Sequence, residues 1–71
     1  MTQYTIIIED VGLNFGAYAP DVPGCIVTGK TVEETTRLMT EALGMHIQLL
    51  SEMGEPNPIP HTLAAQVLIA P

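Results

Sequence analysis

Basic residues are nearly absent from this sequence, which carries only Lys30 and Arg37 against eight acidic residues. The formal net charge is therefore −6 at pH 7. Proteins bind nucleic acid largely by releasing counterions through several Lys and Arg side chains, so we expect no direct binding of DNA or RNA by this chain alone. A strongly acidic chain favours encounter with a basic partner instead.

Cysteine occurs once, at Cys25, which excludes an internal disulfide and a cysteine-rich zinc site. Its place after a Pro-Gly pair favours a small buried hydrophobe over a reactive thiol. The sequence also lacks a basic leader with an apolar core and any run near the ~18 apolar residues of a membrane span. We therefore expect a soluble, cytoplasmic protein.

Apolar residues, by contrast, make up 46% of the 71 residues. The mean hydropathy is +0.30. A chain of this length forms one domain, and so small a domain buries only roughly 60% of the surface of its unfolded chain. This balance predicts that some apolar surface is covered by another polypeptide, either in a homo-oligomer (dimer or tetramer) or in a complex with a different protein.

Three short β-branched or aromatic segments, residues 4–8, 15–19 and 25–28, predict an antiparallel meander, with a turn at residues 9–14. Apolar residues at i, i+3, i+4 and i+7 spacing predict a helix over residues 32–53, followed by Gly54 as the C′ residue.

The uncharged residues 63–69 predict a last strand, which a right-handed crossover would place parallel to the first. This strand would be poorly protected as a free edge, so it is expected to pair with another strand, in this chain or in a second one. The predicted fold is α+β in the order β-β-β-α-β, a partial ribonuclease-H-like fold.

The most informative stretch joins the second predicted strand to the helix. Pro20 and Pro23 cannot donate to a strand ladder and, with Gly24, predict a stiff turn. Thr31 and Glu34 form a capping box at the start of the helix. In that motif the Thr31 hydroxyl accepts from the amide three residues later, and Glu34 reaches back to the amide of the cap residue.

Candidates for catalysis are few. Ser51, Asp21 and either His46 or His61 supply the residue types of a hydrolase triad, but no nucleophile elbow surrounds Ser51. The carboxylates that could hold Mg²⁺ in a weak nuclease are Glu9, Asp10, Asp21, Glu33 and Glu34. Turn formation and helix capping explain most of these acids without catalysis. We predict no enzyme, no cofactor and no metal site.

The pattern Tyr-x-Pro-Asp-x-Pro-Gly-Cys at residues 18–25, followed by Gly-x-Thr-x-Glu-Glu at residues 29–34, resembles the HicB-type antitoxin family. The resemblance extends from the first predicted strand to Gly-x-Pro-x-Pro-Ile-Pro at residues 54–60. It implies a partial ribonuclease-H-like fold and a non-catalytic antitoxin that neutralises a small basic HicA-type toxin, an enzyme that cleaves mRNA. The positions that match the family's scaffold are Tyr18, Pro20, Pro23, Gly24, Gly29, Thr31 and Glu34.

Four acidic side chains are candidates for contact with such a partner: Glu9, Asp10, Asp21 and Glu33. Many members of the family carry a further ribbon-helix-helix or helix-turn-helix segment that binds operator DNA. We expect residues 1–71 to form a single domain without one. The competing interpretation is a homo-oligomeric scaffold or small-ligand-binding module that has no toxin partner.

Overall fold

The computed structural model describes residues 2–71, which form strands β1 (Ile7–Asp10), β2 (Phe15–Tyr18) and β3 (Ile26–Gly29) and helix α1 (Val32–Glu52). The strands make one antiparallel sheet in the order β1-β2-β3. α1 crosses one face of the sheet and packs on β3 and β2. The α+β class, the meander and the single long helix confirm the prediction for this part of the chain.

The first strand lies later in the chain than predicted. β2 ends at Tyr18, opposite the first residue of β1, so residues 4–6 have no strand partner in the described part of the chain. Glu9 and Asp10 are predicted to lie in the turn, but both residues pair with β2. The turn is therefore limited to residues 11–14, closed by a backbone hydrogen bond of 3.0 Å.

A small core lies between the sheet and α1. Strand alternation places Ala17, with its neighbours Ile8 and Val27, on the face that α1 covers. Met39 on α1 is fully buried against this face and is the largest buried side chain. The other buried residues are Ala19, Asp21, Val22, Cys25, Gly29 and Thr35. Most of these side chains are small, which leaves many large apolar side chains exposed to solvent.

α1 begins at Val32 as predicted and ends one residue earlier than predicted. Its end is a Schellman motif, in which the Gly54 amide donates to the Ser51 carbonyl and the Glu55 amide donates to the Leu50 carbonyl, at 3.1 and 2.9 Å. Gly54 has φ +75°, the left-handed conformation that glycine adopts without strain. This confirms the prediction of Gly54 as the C′ residue.

The last strand, predicted at residues 63–69, is not formed in the single chain, and no described residue after α1 pairs with the sheet. Residues 58–62 are tied to the body by hydrogen bonds, but the residues beyond them are exposed. The radius of gyration is 13.9 Å, against about 11 Å for a compact chain of this length. A strand needs a partner with free backbone groups, and this segment leaves the body without meeting one.

Candidate partner-binding surface

The sheet register brings acidic residues from two parts of the chain to one end of the sheet. Asp10 pairs with Phe15, which pairs in turn with Gly29, so the ends of β1 and β3 lie in one row. Neighbouring strands are about 4.8 Å apart, so this row spans roughly 10 Å. The first turn of α1 follows Gly29 closely and carries two more carboxylates. The acidic end consists of Glu9, Asp10, Glu33 and Glu34, and one exposed cation, Lys30, lies beside them between Gly29 and α1.

The capping box sets the positions of the two glutamates. Thr31 Oγ1 accepts a hydrogen bond from the Glu34 amide at 3.0 Å, as predicted. The Glu34 carboxylate accepts from the Lys30 amide at 3.3 Å, one residue before the predicted amide of Thr31. Glu34 is thereby partly buried, whereas Glu33 is exposed. Both lie near the positive end of the helix dipole, which stabilises a carboxylate by about 0.3–1 kcal/mol.

At the end of β1, Asp10 has a local role and remains exposed. Its Oδ1 accepts a hydrogen bond from the Gly12 amide at 3.0 Å, which shapes the turn that follows. Gly12 has φ +105°, a conformation that few other residues adopt. Glu9, on the opposite face of the strand, is exposed as well. The acidic end thus presents Glu9, Asp10 and Glu33 to solvent.

Asp21, the fourth candidate for partner contact, lies at the other end of the sheet and is buried. Its side chain is 1% exposed. Oδ2 accepts from the amides of His61 and Thr62 at 2.9 and 3.0 Å, and Oδ1 accepts from the Thr62 hydroxyl at 2.6 Å. The His61 ring Nδ1 lies 3.0 Å from Oδ1. Because donors of its own chain occupy both oxygens, Asp21 is a structural residue here and not a surface for a partner.

Two consecutive turns hold Asp21 in this position. In the first, the Val22 amide donates to the Ala19 carbonyl at 3.1 Å, with Pro20 in the second place of the turn. In the next, Pro23 takes the second place and Gly24, at φ +87°, the third. Proline and glycine are the residues that these two places favour. The prolines and Gly24 therefore have a conformational reason to be where they are.

The pKa of Asp21 is lowered, chiefly by the hydrogen bond from the Thr62 hydroxyl. Burial acts in the opposite direction, and the amides of His61 and Thr62 and the charge of the His61 ring lower the pKa further. Burial raises the pKa of the Cys25 thiol, which keeps the thiol protonated. Cys25 thus has the environment of a packed hydrophobe.

A close approach of β3 to α1 explains glycine at position 29. A Cβ atom on Gly29 would lie 2.5 Å from the Thr35 hydroxyl oxygen and 3.0 Å from the Thr35 backbone nitrogen. Thr35 cannot turn its hydroxyl away freely, because that group donates to the Thr31 carbonyl at 2.7 Å. Gly29, Thr31 and Thr35 therefore form a tight junction between the last strand of the sheet and the helix.

The residue types of a hydrolase triad are not assembled. His61 lies against Asp21, but Ser51 is exposed in the last turn of α1, and no hydrogen bond joins it to a histidine among residues 2–71. His46 is partly buried on α1. Within the same described range, no group of three or more His, Cys, Asp or Glu side chains is placed to hold a metal ion.

The sheet face turned away from α1 carries an apolar row that sequence reasoning did not identify as a surface. Ile7 pairs with Tyr18, and Tyr18 pairs with Ile26, so the three side chains lie side by side. Tyr18 is 40% exposed and Ile26 72%. Glu9 lies on the same face, two residues along β1, so the row adjoins the acidic end. The available signal was the Ile-Ile-Ile run at residues 6–8, which puts apolar side chains on both faces of one strand.

Comparison with known proteins places this chain among the components of bacterial toxin–antitoxin systems. A family model described as HicB-like antitoxin of bacterial toxin–antitoxin systems matches residues 4–69. The chain belongs to the HicB-like antitoxin family.

A relative from Haemophilus phage HP1, an uncharacterised 14.9 kDa protein of the rep-hol intergenic region, is 38% identical over 55 residues. The match covers 78% of this chain and 41% of the phage protein, so the chain spans less than half of that relative. No solved structure matches the chain. The helix that the structure describes lacks the combination of length and apolar character needed to cross a membrane.

Proposed function

We propose that this protein is a non-catalytic antitoxin that binds and neutralises a small basic toxin of the HicA type, an enzyme that cleaves mRNA. The observation that carries the proposal is the acidic end beside an exposed apolar row, on a chain of the HicB-like antitoxin family. A toxin that binds RNA needs a basic surface, and an acidic protein placed over that surface would exclude the substrate.

The two parts of the surface contribute differently to binding. Exposed carboxylates steer a basic partner and raise the association rate, and charges at the rim of an interface add specificity more than affinity. The row of Ile7, Tyr18 and Ile26 supplies apolar area, and aromatic residues are enriched among those that dominate binding energy. The toxin is therefore expected to seat on the open face with its basic residues towards the acidic end.

The chain by itself is proposed not to bind nucleic acid. Its two basic residues are Lys30 and Arg37, and Arg37 lies 3.7 Å from Glu41 in an exposed ion pair. Two cations release too few counterions for useful affinity. Since the proposed toxin acts on mRNA, the pair would act in the cytoplasm.

The proposal is tested by co-expression with the product of an adjacent gene that encodes a small basic protein. The antitoxin is expected to restore growth and to co-purify with that protein. The variant Glu9→Lys should weaken the complex, because it places a positive charge where basic residues are to dock. Glu55→Lys, the same change at an exposed residue just beyond α1, is the matched control and should bind as the unmodified chain does.

Growth arrest that the unmodified protein does not relieve would refute the antitoxin role. Equal loss of binding in Glu9→Lys and Glu55→Lys would refute the assignment of toxin binding to the acidic end. The change in net charge alone would then explain the loss. Cleavage of RNA by the purified chain would refute the non-catalytic part of the proposal.

A further inference from the structure

Residues 63–69, the apolar segment, expose nearly all of their hydrophobic surface in the single chain. Leu63 is 94% exposed and Leu68 102%, and Val67 and Ile69 are exposed almost as fully. The segment has no charged residue. Isolated exposed hydrophobic residues are common, but a contiguous uncharged run of this kind marks a surface that another molecule covers.

A groove of matching character lies between residues 2–6 and α1. Its lining residues are Thr2, Tyr4, Ile6, Thr36, Thr40, Leu43, Gly44 and Ile47. None of them is charged. Gly44 faces open space, with no atom within 4 Å of the position where a Cβ would stand. Glycine inside a helix is destabilising by roughly 1 kcal/mol relative to alanine, so its presence at a groove suits the close approach of another backbone.

The edge of β1 beside this groove is also free. β1 pairs with β2 on one side only, and residues 4–6 precede it without a strand partner in the described chain. Residues 4–10 therefore offer an unpaired edge equal in length to the apolar segment. A strand added to this edge would direct alternate side chains into the groove, towards Leu43 and Ile47. In the apolar segment one such set is wholly apolar: Leu63, Ala65, Val67 and Ile69.

We propose that two copies of this chain exchange their apolar segments reciprocally. Each segment forms a fourth strand on the free edge of β1 in the other copy and fills the groove beside α1. The sheet that results has the strand that the ribonuclease-H-like order requires, supplied in trans. Reciprocal exchange about a two-fold axis uses the same pair of surfaces twice and closes on itself, which gives a dimer and not an open chain of molecules.

The exposed, uncharged segment that each chain carries selects a second copy as the occupant. The chain carries a net charge of −6, so two copies repel each other at long range and associate only where apolar burial outweighs that repulsion. The segment and the groove are both uncharged and can bury apolar surface against each other, whereas a basic partner would find no charge to pair with in the groove. The segment's own start is held in place, because the Thr5 hydroxyl donates to the Thr62 carbonyl at 2.9 Å and Asp21 binds Thr62. The residues that follow lie away from the body.

The mass of the full chain, measured by light scattering over a range of concentrations, tests this proposal. The unmodified chain should have twice the mass of one chain. Val67→Lys places a charge in the proposed groove and should raise the dissociation constant of the dimer about tenfold or more. Leu13→Lys is the control, because Leu13 is 97% exposed in the turn between β1 and β2 and lies outside the proposed interface.

A second variant acts on the groove from the other side. Gly44→Leu fills the groove while improving helix propensity, so the fold should be retained and self-association lost. Mixing Val67→Lys with Gly44→Leu should produce heterodimers tighter than either variant's own dimer, because one intact segment then meets one intact groove. This rescue is specific to exchange between chains.

Three results would overturn the proposal: an unmodified chain that has the mass of one chain at all concentrations, variants that still form dimers, or a mixture with no gain over its components. If the unmodified chain is a monomer that binds the toxin, and the Gly44→Leu variant does not bind it, the groove is the site of the toxin instead. The proposed edge includes Glu9 and Asp10 of the acidic end, so the two proposals are separated by their readouts. The mass of the chain without toxin tests the exchange, and the restoration of growth tests the antitoxin role.

Discussion

Replacement of Gly29 by alanine tests the junction between β3 and α1. The added methyl group would lie 2.5 Å from Thr35 Oγ1, 3.0 Å from Thr35 N and 3.1 Å from Thr35 Cα. Two of these three atoms belong to the backbone, so rotation of a side chain cannot relieve the overlap, and the start of α1 has to move. Overpacking of this kind destabilises a protein by about 1–3 kcal/mol.

That loss is large for this chain. A domain of this size has a free energy of unfolding of about 4–11 kcal/mol. Urea unfolding followed by circular dichroism, at one protein concentration, measures the effect. With a slope near 1 kcal/mol per M, the midpoint should fall by about 1–3 M.

Gly16→Ala is the matched control, since Gly16 is also a strand glycine but its Cβ position has no neighbour closer than 4.0 Å. Alanine there should stabilise by about 0.4–1 kcal/mol through the unfolded chain. If Gly29→Ala unfolds at the same urea concentration as Gly16→Ala, the argument from close approach is refuted.

The folded-state pKa of Asp21 is lowered, so its contribution to stability is complete above the ordinary aspartate pKa and is lost as the pH falls through the lowered value. The NMR signals of the His61 and Thr62 amides should therefore shift in acid. An Asp21→Asn variant that shows the same transition would contradict this prediction. Met39→Ala should reduce the free energy of unfolding by about 2–5 kcal/mol, because Met39 is fully buried; a smaller loss in urea unfolding would mean that the core collapses around the cavity. Thr31→Ala should reduce the stability by about 1 kcal/mol and the helical signal in circular dichroism, whereas Thr31→Ser should retain both; equal behaviour of the two variants would argue against the cap.

Elements with short-range causes were predictable from the sequence. Proline and glycine set the turns around Asp21, Thr31 and Glu34 specify the start of α1, and Gly54 specifies its end. These signals depend on the geometry of a few adjacent residues, so they do not require knowledge of the rest of the fold. The net charge and the apolar content also come directly from composition.

Other features depended on which distant residues meet. Asp21 has the same local signature as an exposed turn acid, but Thr62, distant in sequence, satisfies and buries it. Glu9 and Asp10 are strand residues because β2 supplies their backbone partners.

The sequence alone determined the meander, the helix with its two ends and the acidity of this protein, because conformational preference and charge are properties of residues and short segments. Only the tertiary structure decided which carboxylates are exposed together, which apolar row remains open, and that residues 63–69 find no strand partner in their own chain. Burial and strand pairing are relations between residues far apart, and they exist only after the chain has folded.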